Sequence, residues 1–262
     1  MAVVTISRGT FSGGQSLAQH VASKLGYRVL PRVELHEAAM RYGVSDKVLS
    51  DAISETPGFL ERQSSERARY LTCIRAALVR AVKDDNVVYH GLAGHFLLQG
   101  VPHVLRVKVI ANTEFRINGA MERTALTRKE AIEYIRKMDE KRAKWTKFLY
   151  HVDWNEPSLF DVVINIDRLD ISNASEIVAH AVQYDRFKTT PETQKIMEDL
   201  ALSTEVRAII TMSKGVADSG IKVEADGGAI TVSGMAGTSA DADKIREIAM
   251  SVASVRSVEF RT

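Results

Sequence analysis

A doubly wound α/β domain with a five-stranded parallel sheet and helices on both faces, followed by a small α+β (αββαβ) domain, is the fold class this 262-residue sequence predicts. Three features predict it. Short Val/Ile runs alternate with amphipathic helical stretches, a glycine-rich loop separates the first run from the first helix, and the pattern changes near Pro191 to a hairpin-bearing segment. Apolar runs separated by helices imply a parallel sheet covered on both faces.

The first strand carries Val3, Val4 and Ile6, and Leu17, Ala18, Val21, Ala22 and Leu25 form the apolar stripe of the first helix, with Gly26 as its stop. Tyr27 to Leu30 reads as the second strand, and PRVELHEAAMRYG as a helix whose first turn holds Pro31, Arg32 and Glu34. A further helix spans about 58–83, with Leu71, Ile74, Leu78 and Val82 at helical spacing. Strands follow at Asn86 to Tyr89 and Val104 to Asn112, then a helix from Thr113 to Arg123. Thr127 and Glu130 form a T-x-x-E capping box that opens a long helix. Leu159 to Asp167 is the fifth strand and Ser175 to Phe187 a closing helix.

From Pro191 onward the sequence predicts a helix, a strand IKVEA, an Asp226-Gly227-Gly228 turn, a strand AITVSGMA, a helix SADADKIREIAMSVA and a last strand VRSVEF. The expected organisation is a first domain over 1–187, a linker and helix start over 188–202, and a small two-layer domain over 203–262.

With 45% hydrophobic and 26% charged residues, the chain can bury a sizeable core. A net charge of +2 gives no global electrostatic case for nucleic acid. The single cysteine, Cys73, excludes an internal disulfide and reads as a buried helix residue. No apolar run reaches the length of a membrane span, and the chain opens on a strand rather than on a charged segment and an apolar block, so a cytoplasmic protein is expected.

Gly9, four residues, then Gly14, Gln15 and Ser16 reproduce the frame of a phosphate-binding loop, with Gln15 where lysine normally stands. Glycines at 9, 13 and 14 allow consecutive amides to surround an anion at a helix N-terminus. A neutral amide at Gln15 can dock phosphate but cannot balance charge as phosphates separate. A Gly/Ser-rich turn without a ligand is the alternative.

Arginines concentrate between the fourth and fifth strands. Arg116 and Arg123 share a helix face, as do Asp139 and Arg142. Above a phosphate loop, Arg142 would meet a moving phosphoryl; its plainer reading is a solvated pair with Asp139. Arg32 and Glu34 suit either an acceptor nucleotide or a helix start. His90, His95 and His103 lack the spacing and carboxylates of a zinc site, and His90 stands where an acidic residue would help hold magnesium.

With these stretches laid out, the first 187 residues resemble the cytidylate kinase-like family of phosphate-loop proteins. The resemblance is carried by ISRGTFSGGQSLAQHVASKLGY, VLRVKVIANTEFRINGAMER, MDEKRAKWTKFLYHVDWNEPSLFDVVINIDRL and, more loosely, NVVYHGLAGHFLLQGVP. It implies transfer of the γ-phosphoryl of ATP to a nucleotide-like acceptor, with ATP and Mg²⁺ as cofactors. The donor would lie on Gly9, Ser12, Gly13, Gly14, Gln15 and Ser16, with Ser16 on the metal. Arg32 and Glu34 would take the acceptor, and Arg116, Arg123, Asp139 and Arg142 the transferring group. Gln15, Pro31 and Leu92 depart from the family pattern, each removing charge from that site.

Residues from about Ser203 to Thr262 resemble a BON domain through their αββαβ order and the GGAITVSG hairpin. This resemblance implies a module for protein or lipid partners, regulation or self-association. Seven Lys/Arg against eight Asp/Glu in the segment give little electrostatic attraction to a membrane. Two further readings stand beside the kinase: a nucleotide sensor without turnover, and an interaction protein that binds no nucleotide.

Overall fold

The computed structural model describes residues 1–43, 64–91, 93–213, 215–216, 220–234 and 238–261, without the side chains at 32, 36, 64–67, 145, 148 and 149. Leu92 and the first part of the helix expected over 58–83 therefore lie outside the described residues. The chain divides into two compact units, Met1–Arg32 with Asp84–Thr189, and Val33–Lys83 with Thr190–Thr262.

In the first unit, β1 (Val3–Arg8), β2 (Arg28–Leu30), β3 (Val87–His90), β4 (Val104–Ile110) and β5 (Val162–Asn165) form one sheet in the order β2-β3-β1-β4-β5. All of its pairings are parallel. The first strand is central: from it the chain runs to the edge strand β2, returns to place β3 between β2 and β1, and then crosses to β4 and β5 on the other side. The loop after β1 thus leaves the sheet at its topological switch point, where doubly wound sheets hold ligands.

One face of the sheet is apolar because Val4, Ile6, Val88, Val107 and Val109 pack against Leu17 and Val21 of α1 (Gly14–Leu25). Ala174 and Val178 of a later helix, Ile171–Ala181, complete this core. Side chains alternate along a strand, so Thr5, Ser7 and Lys108 fall on the opposite face. There Gly94 opens the short helix Gly94–Leu97, where a Cβ would lie 2.6 Å from the Tyr89 ring and 3.3 Å from Thr5.

The helix Thr113–Arg123 and the long helix Arg128–Tyr150 form a hairpin with its own small core of Ile117, Ala120, Ala131 and Ile135. Phe11 of the glycine loop packs against that core. The capping box at Thr127 is present: its side chain accepts from the Glu130 amide while Glu130 accepts from the Thr127 amide at 2.8 Å.

The second unit contains α2 (Arg32–Met40, from Val33), α3 (Ser64–Val82) and, after Thr189, a long helix Pro191–Met212. The strands Lys222–Asp226 and Ala229–Ser233 form the expected hairpin across Gly227 and Gly228, whose φ values are 54° and 94°. The helix Ser239–Met250 crosses over to a third strand, Ser257–Arg261, parallel to the second. Val206, Ile210, Ile230, Val232, Ile245 and Ala249 form the core. Helix α3 lies along Pro191–Met212, with Arg80 paired to Glu205 at 3.0 Å. Cys73 is fully buried in α3, and burial pushes its thiol up to about 12.

Several expected boundaries shift. The helix expected over Ser175 to Phe187 runs from Ile171 to Ala181, because the Asp170 side chain accepts from the Asn173 amide at 2.7 Å and caps it earlier. Asp185–Phe187 is a separate 3₁₀ turn. The fifth strand is shorter than Leu159 to Asp167, since Pro157–Leu159 forms another such turn.

Candidate functional site

The loop between β1 and α1 is shaped by crowding as well as by backbone conformation. Ser12 is buried and donates its hydroxyl to the Gly9 carbonyl at 2.9 Å, closing the loop on itself. Gly13 has φ +74°, and a Cβ there would lie 2.3 Å from the Ile166 side chain. A Cβ on Gly14 would come within 2.6 Å of Arg8. Helix α1 then starts with neither a side-chain cap nor an acidic residue in its first turn. Its first amides have no intrahelical partners and its dipole favours an anion.

Four side chains meet at this loop. Arg116, from the helix Thr113–Arg123, lies over Gly9 and donates its Nε to the Thr10 carbonyl at 2.8 Å. Its Nη2 donates to Asp139 of the helix Arg128–Tyr150. The Asp139 carboxylate also accepts from the Thr10 amide at 3.1 Å, the Thr10 hydroxyl at 2.8 Å and Arg142 at 3.2 Å. Arg142 donates to the Thr10 hydroxyl as well, at 2.5 Å. Asp139 and Arg142, three apart on one helix, are therefore not a solvated surface pair: they clasp the loop. Burial and then Arg8 lower the Arg142 guanidinium to about 10, which leaves it a cation at neutral pH.

Beside this cluster opens a cleft of about 370 Å³, whose lining includes Gly9, Ser12, Lys108, Arg116, Asp139 and Trp154. Lys108 is buried on β4 and donates to the Trp154 carbonyl and to Asn155 Oδ1, both at 3.0 Å. Its ammonium lies 4.8 Å from the Trp154 ring centroid and 5.2 Å from that of Phe160. Burial lowers its pKa, opposed by Asp153 and Asp139.

The structure brings together Gly9, Ser12, Gly13, Gly14, Arg116, Asp139 and Arg142. Gln15 is exposed in the first turn of α1 and Ser16, beside it, is partly buried. Arg123 is exposed at the end of its helix and does not join the cluster: Arg116, seven residues earlier, fills the place beside Gly9. Glu34 is exposed in the first turn of α2, in the second unit, and the Arg32 side chain is not described. His90 ends β3, with burial and Arg8 lowering its pKa. Among the described residues, no three His, Cys, Asp or Glu side chains gather as a metal site.

Two cations were missed from the sequence, Arg8 and Lys108. A signal existed for Lys108, a lone charge between valines in VLRVKVIAN; Arg8, ending a strand beside a loop, carried none.

No helix among the described residues is long and apolar enough to cross a membrane. Residues 3–168 match the model of the cytidylate kinase-like family, and residues 198–261 that of the BON domain. The cytidylate kinase of Archaeoglobus fulgidus is 28% identical over 189 residues, spanning 71% of this chain and 97% of its own. That of Methanothrix thermoacetophila is 26% identical over 183 residues, with 69% and 98% covered. A crystal structure of an uncharacterized protein from Eubacterium ventriosum shares the fold, with a TM-score of 0.55 and 17% identity, over 70% of this chain and 99% of that one. The chain therefore belongs to the cytidylate kinase-like family, a family of nucleotide kinases, and carries a BON domain in its C-terminal part.

Proposed function

We propose that this protein binds ATP on the glycine loop and transfers its γ-phosphoryl to a nucleotide-like acceptor. The observation that carries the reading is the convergence of the Thr10 amide, Arg116 and Arg142 on a single carboxylate, that of Asp139. Donors that hold one carboxylate from a backbone amide and two guanidinium groups suit a phosphoryl group equally well. Asp139 then orients the arginines before binding and yields them to the incoming anion.

In this reading Gly9, Ser12, Gly13, Gly14 and Gln15 cradle the donor phosphates through backbone amides and the α1 dipole. Magnesium, when bound, supplies charge neutralisation across the donor phosphates, and the Ser16 hydroxyl is the family-like ligand for it. The described residues offer no acidic cluster to add, so the arginines carry most of the electrostatic work. As the acceptor oxygen bonds to the γ-phosphorus, the bond to the bridging oxygen breaks and its electron pair leaves on the diphosphate. Arg116 and Arg142 hold the charge that gathers on the moving group, while Arg123, exposed at the end of its helix, takes no part in it. The BON domain, in its turn, serves regulation or partner binding.

A second reading, a nucleotide sensor with little turnover, is favoured by the neutral, exposed Gln15 and by His90 at the end of β3. Calorimetric titration with Mg-ATP and with CMP, followed by a phosphoryl-transfer assay on the same samples, separates the two. Binding with transfer supports the kinase; binding without transfer supports the sensor. Absence of binding leaves an interaction protein built around the BON domain. Gln15→Lys adds a second test, raising turnover sharply where only that charge is missing.

A further inference from the structure

Lys108 has no role in the assignment above, yet it belongs to the same cleft. It sits on β4 opposite Ser7 of β1, one residue before Arg8, on the face of the sheet that α1 does not cover. An ammonium has three donors, and the described residues give Lys108 two acceptors, the Trp154 carbonyl and Asn155 Oδ1. Trp154 and Phe160 present their rings to the same charge and keep bulk water from it. A buried lysine in a valine-rich strand is costly unless something negative repays it. Asp153 and Asp139 act on it electrostatically, and Asp139 holds the arginines that an incoming anion would take over.

We propose that Lys108 is an anion-contacting residue: it supplies from β4 the positive charge that the loop lacks at Gln15, and binds a phosphoryl oxygen of a polyphosphate ligand in the cleft beside Gly9 and Arg116. The proposal rests on the reading that the glycine loop binds phosphate. Its own content is that the compensating cation comes from the sheet rather than from the loop or the helical hairpin. An ordinary structural role, tying the 154–155 turn to the sheet, would account for the two hydrogen bonds but not for the third donor or for the lysine's place in the cleft lining.

The test is calorimetry on the full-length protein with inorganic tripolyphosphate across a range of NaCl concentrations, using wild type, Lys108→Gln and Asn155→Ala. Gln at 108 keeps an N–H for the Trp154 carbonyl while removing the charge. Asn155→Ala removes one tether and keeps the charge. The expected result is about ten- to hundredfold weaker binding for Lys108→Gln, the scale of one charge-assisted contact, with a shallower salt dependence. Asn155→Ala should bind within about threefold of wild type. Binding of Lys108→Gln within twofold of wild type overturns the proposal, as does an equal loss in Asn155→Ala, which would mark the lysine as a tether for the turn. No binding by wild type instead overturns the phosphate-loop reading itself. If Lys108→Gln does not fold, the Lys108 Cε resonance of wild type, identified through its contacts with the Trp154 ring, gives the readout. A shift on adding tripolyphosphate supports the proposal and an unmoved resonance overturns it.

Discussion

Asp139→Asn is the perturbation that most directly tests how the loop is held. The carboxylate takes the Thr10 amide, the Thr10 hydroxyl and both Arg116 and Arg142, and the side chains of both arginines are only 17% exposed. An amide at 139 keeps the shape and one acceptor but leaves two largely buried guanidinium groups without their anion. Charge-assisted hydrogen bonds contribute about 1.5–3 kcal/mol each. Partial solvent access and the repulsion between the arginines reduce that sum, so a destabilisation of about 2–3 kcal/mol is expected. In a protein of this size that lowers Tm by about 5–10 °C. The same substitution removes the carboxylate that competes with an external anion, so tripolyphosphate should bind about tenfold more tightly and recover much of the lost stability. Differential scanning fluorimetry in a low-anion buffer, with and without tripolyphosphate, reads both effects. An unchanged Tm, or polyphosphate affinity that falls with stability, would refute the account of Asp139 as an internal stand-in for phosphate.

The two left-handed glycines of α1 should respond unequally to alanine. Gly13→Ala combines φ +74° with a Cβ 2.3 Å from Ile166, whereas Gly26→Ala at φ +68° meets nothing within 4 Å. Urea unfolding should show a loss of about 2–4 kcal/mol for the first and about 1 kcal/mol for the second. His95 makes a pH prediction: burial first, then Arg106 and Lys108, lower its pKa from the usual 6.5 to about 4. The unfolded chain therefore binds a proton that the folded protein refuses, so this contribution is full above pH 6.5 and is lost as pH falls toward 4. Unfolding free energies of wild type and His95→Gln should converge or cross over that window, by up to about 3 kcal/mol, and a pH-independent difference would contradict the buried neutral imidazole.

Much of the architecture was legible because its signals are local. Val3, Val4 and Ile6 read as a strand, the Leu17-to-Leu25 stripe as a helix, and Thr127 with Glu130 as a helix start, since each depends on neighbours within a turn or two. The boundary at Asp170 was equally local and was missed, because the N-cap aspartate is followed by the polar pair Ser172 and Asn173, which leaves a later start at Ser175 equally plausible. The candidate site was half legible. The glycine spacing marked the loop, and the arginine-rich hairpin marked where cations would come from.

What the sequence by itself determined was therefore the set of elements, their α/β alternation, the glycine loop and the hairpin of the C-terminal segment. Tertiary structure alone decided that Arg116 and Arg142, but not Arg123, reach the loop, and that Asp139, 129 residues from Thr10, binds its amide. It alone placed Lys108 in the cleft and grouped Val33–Lys83 with the C-terminal segment in one compact unit. The physical reason is that hydrogen-bonded periodicity and capping are written in residues a few positions apart. Which charges share a partner is instead set by the order in which the strands pair and by the packing of the helices across them.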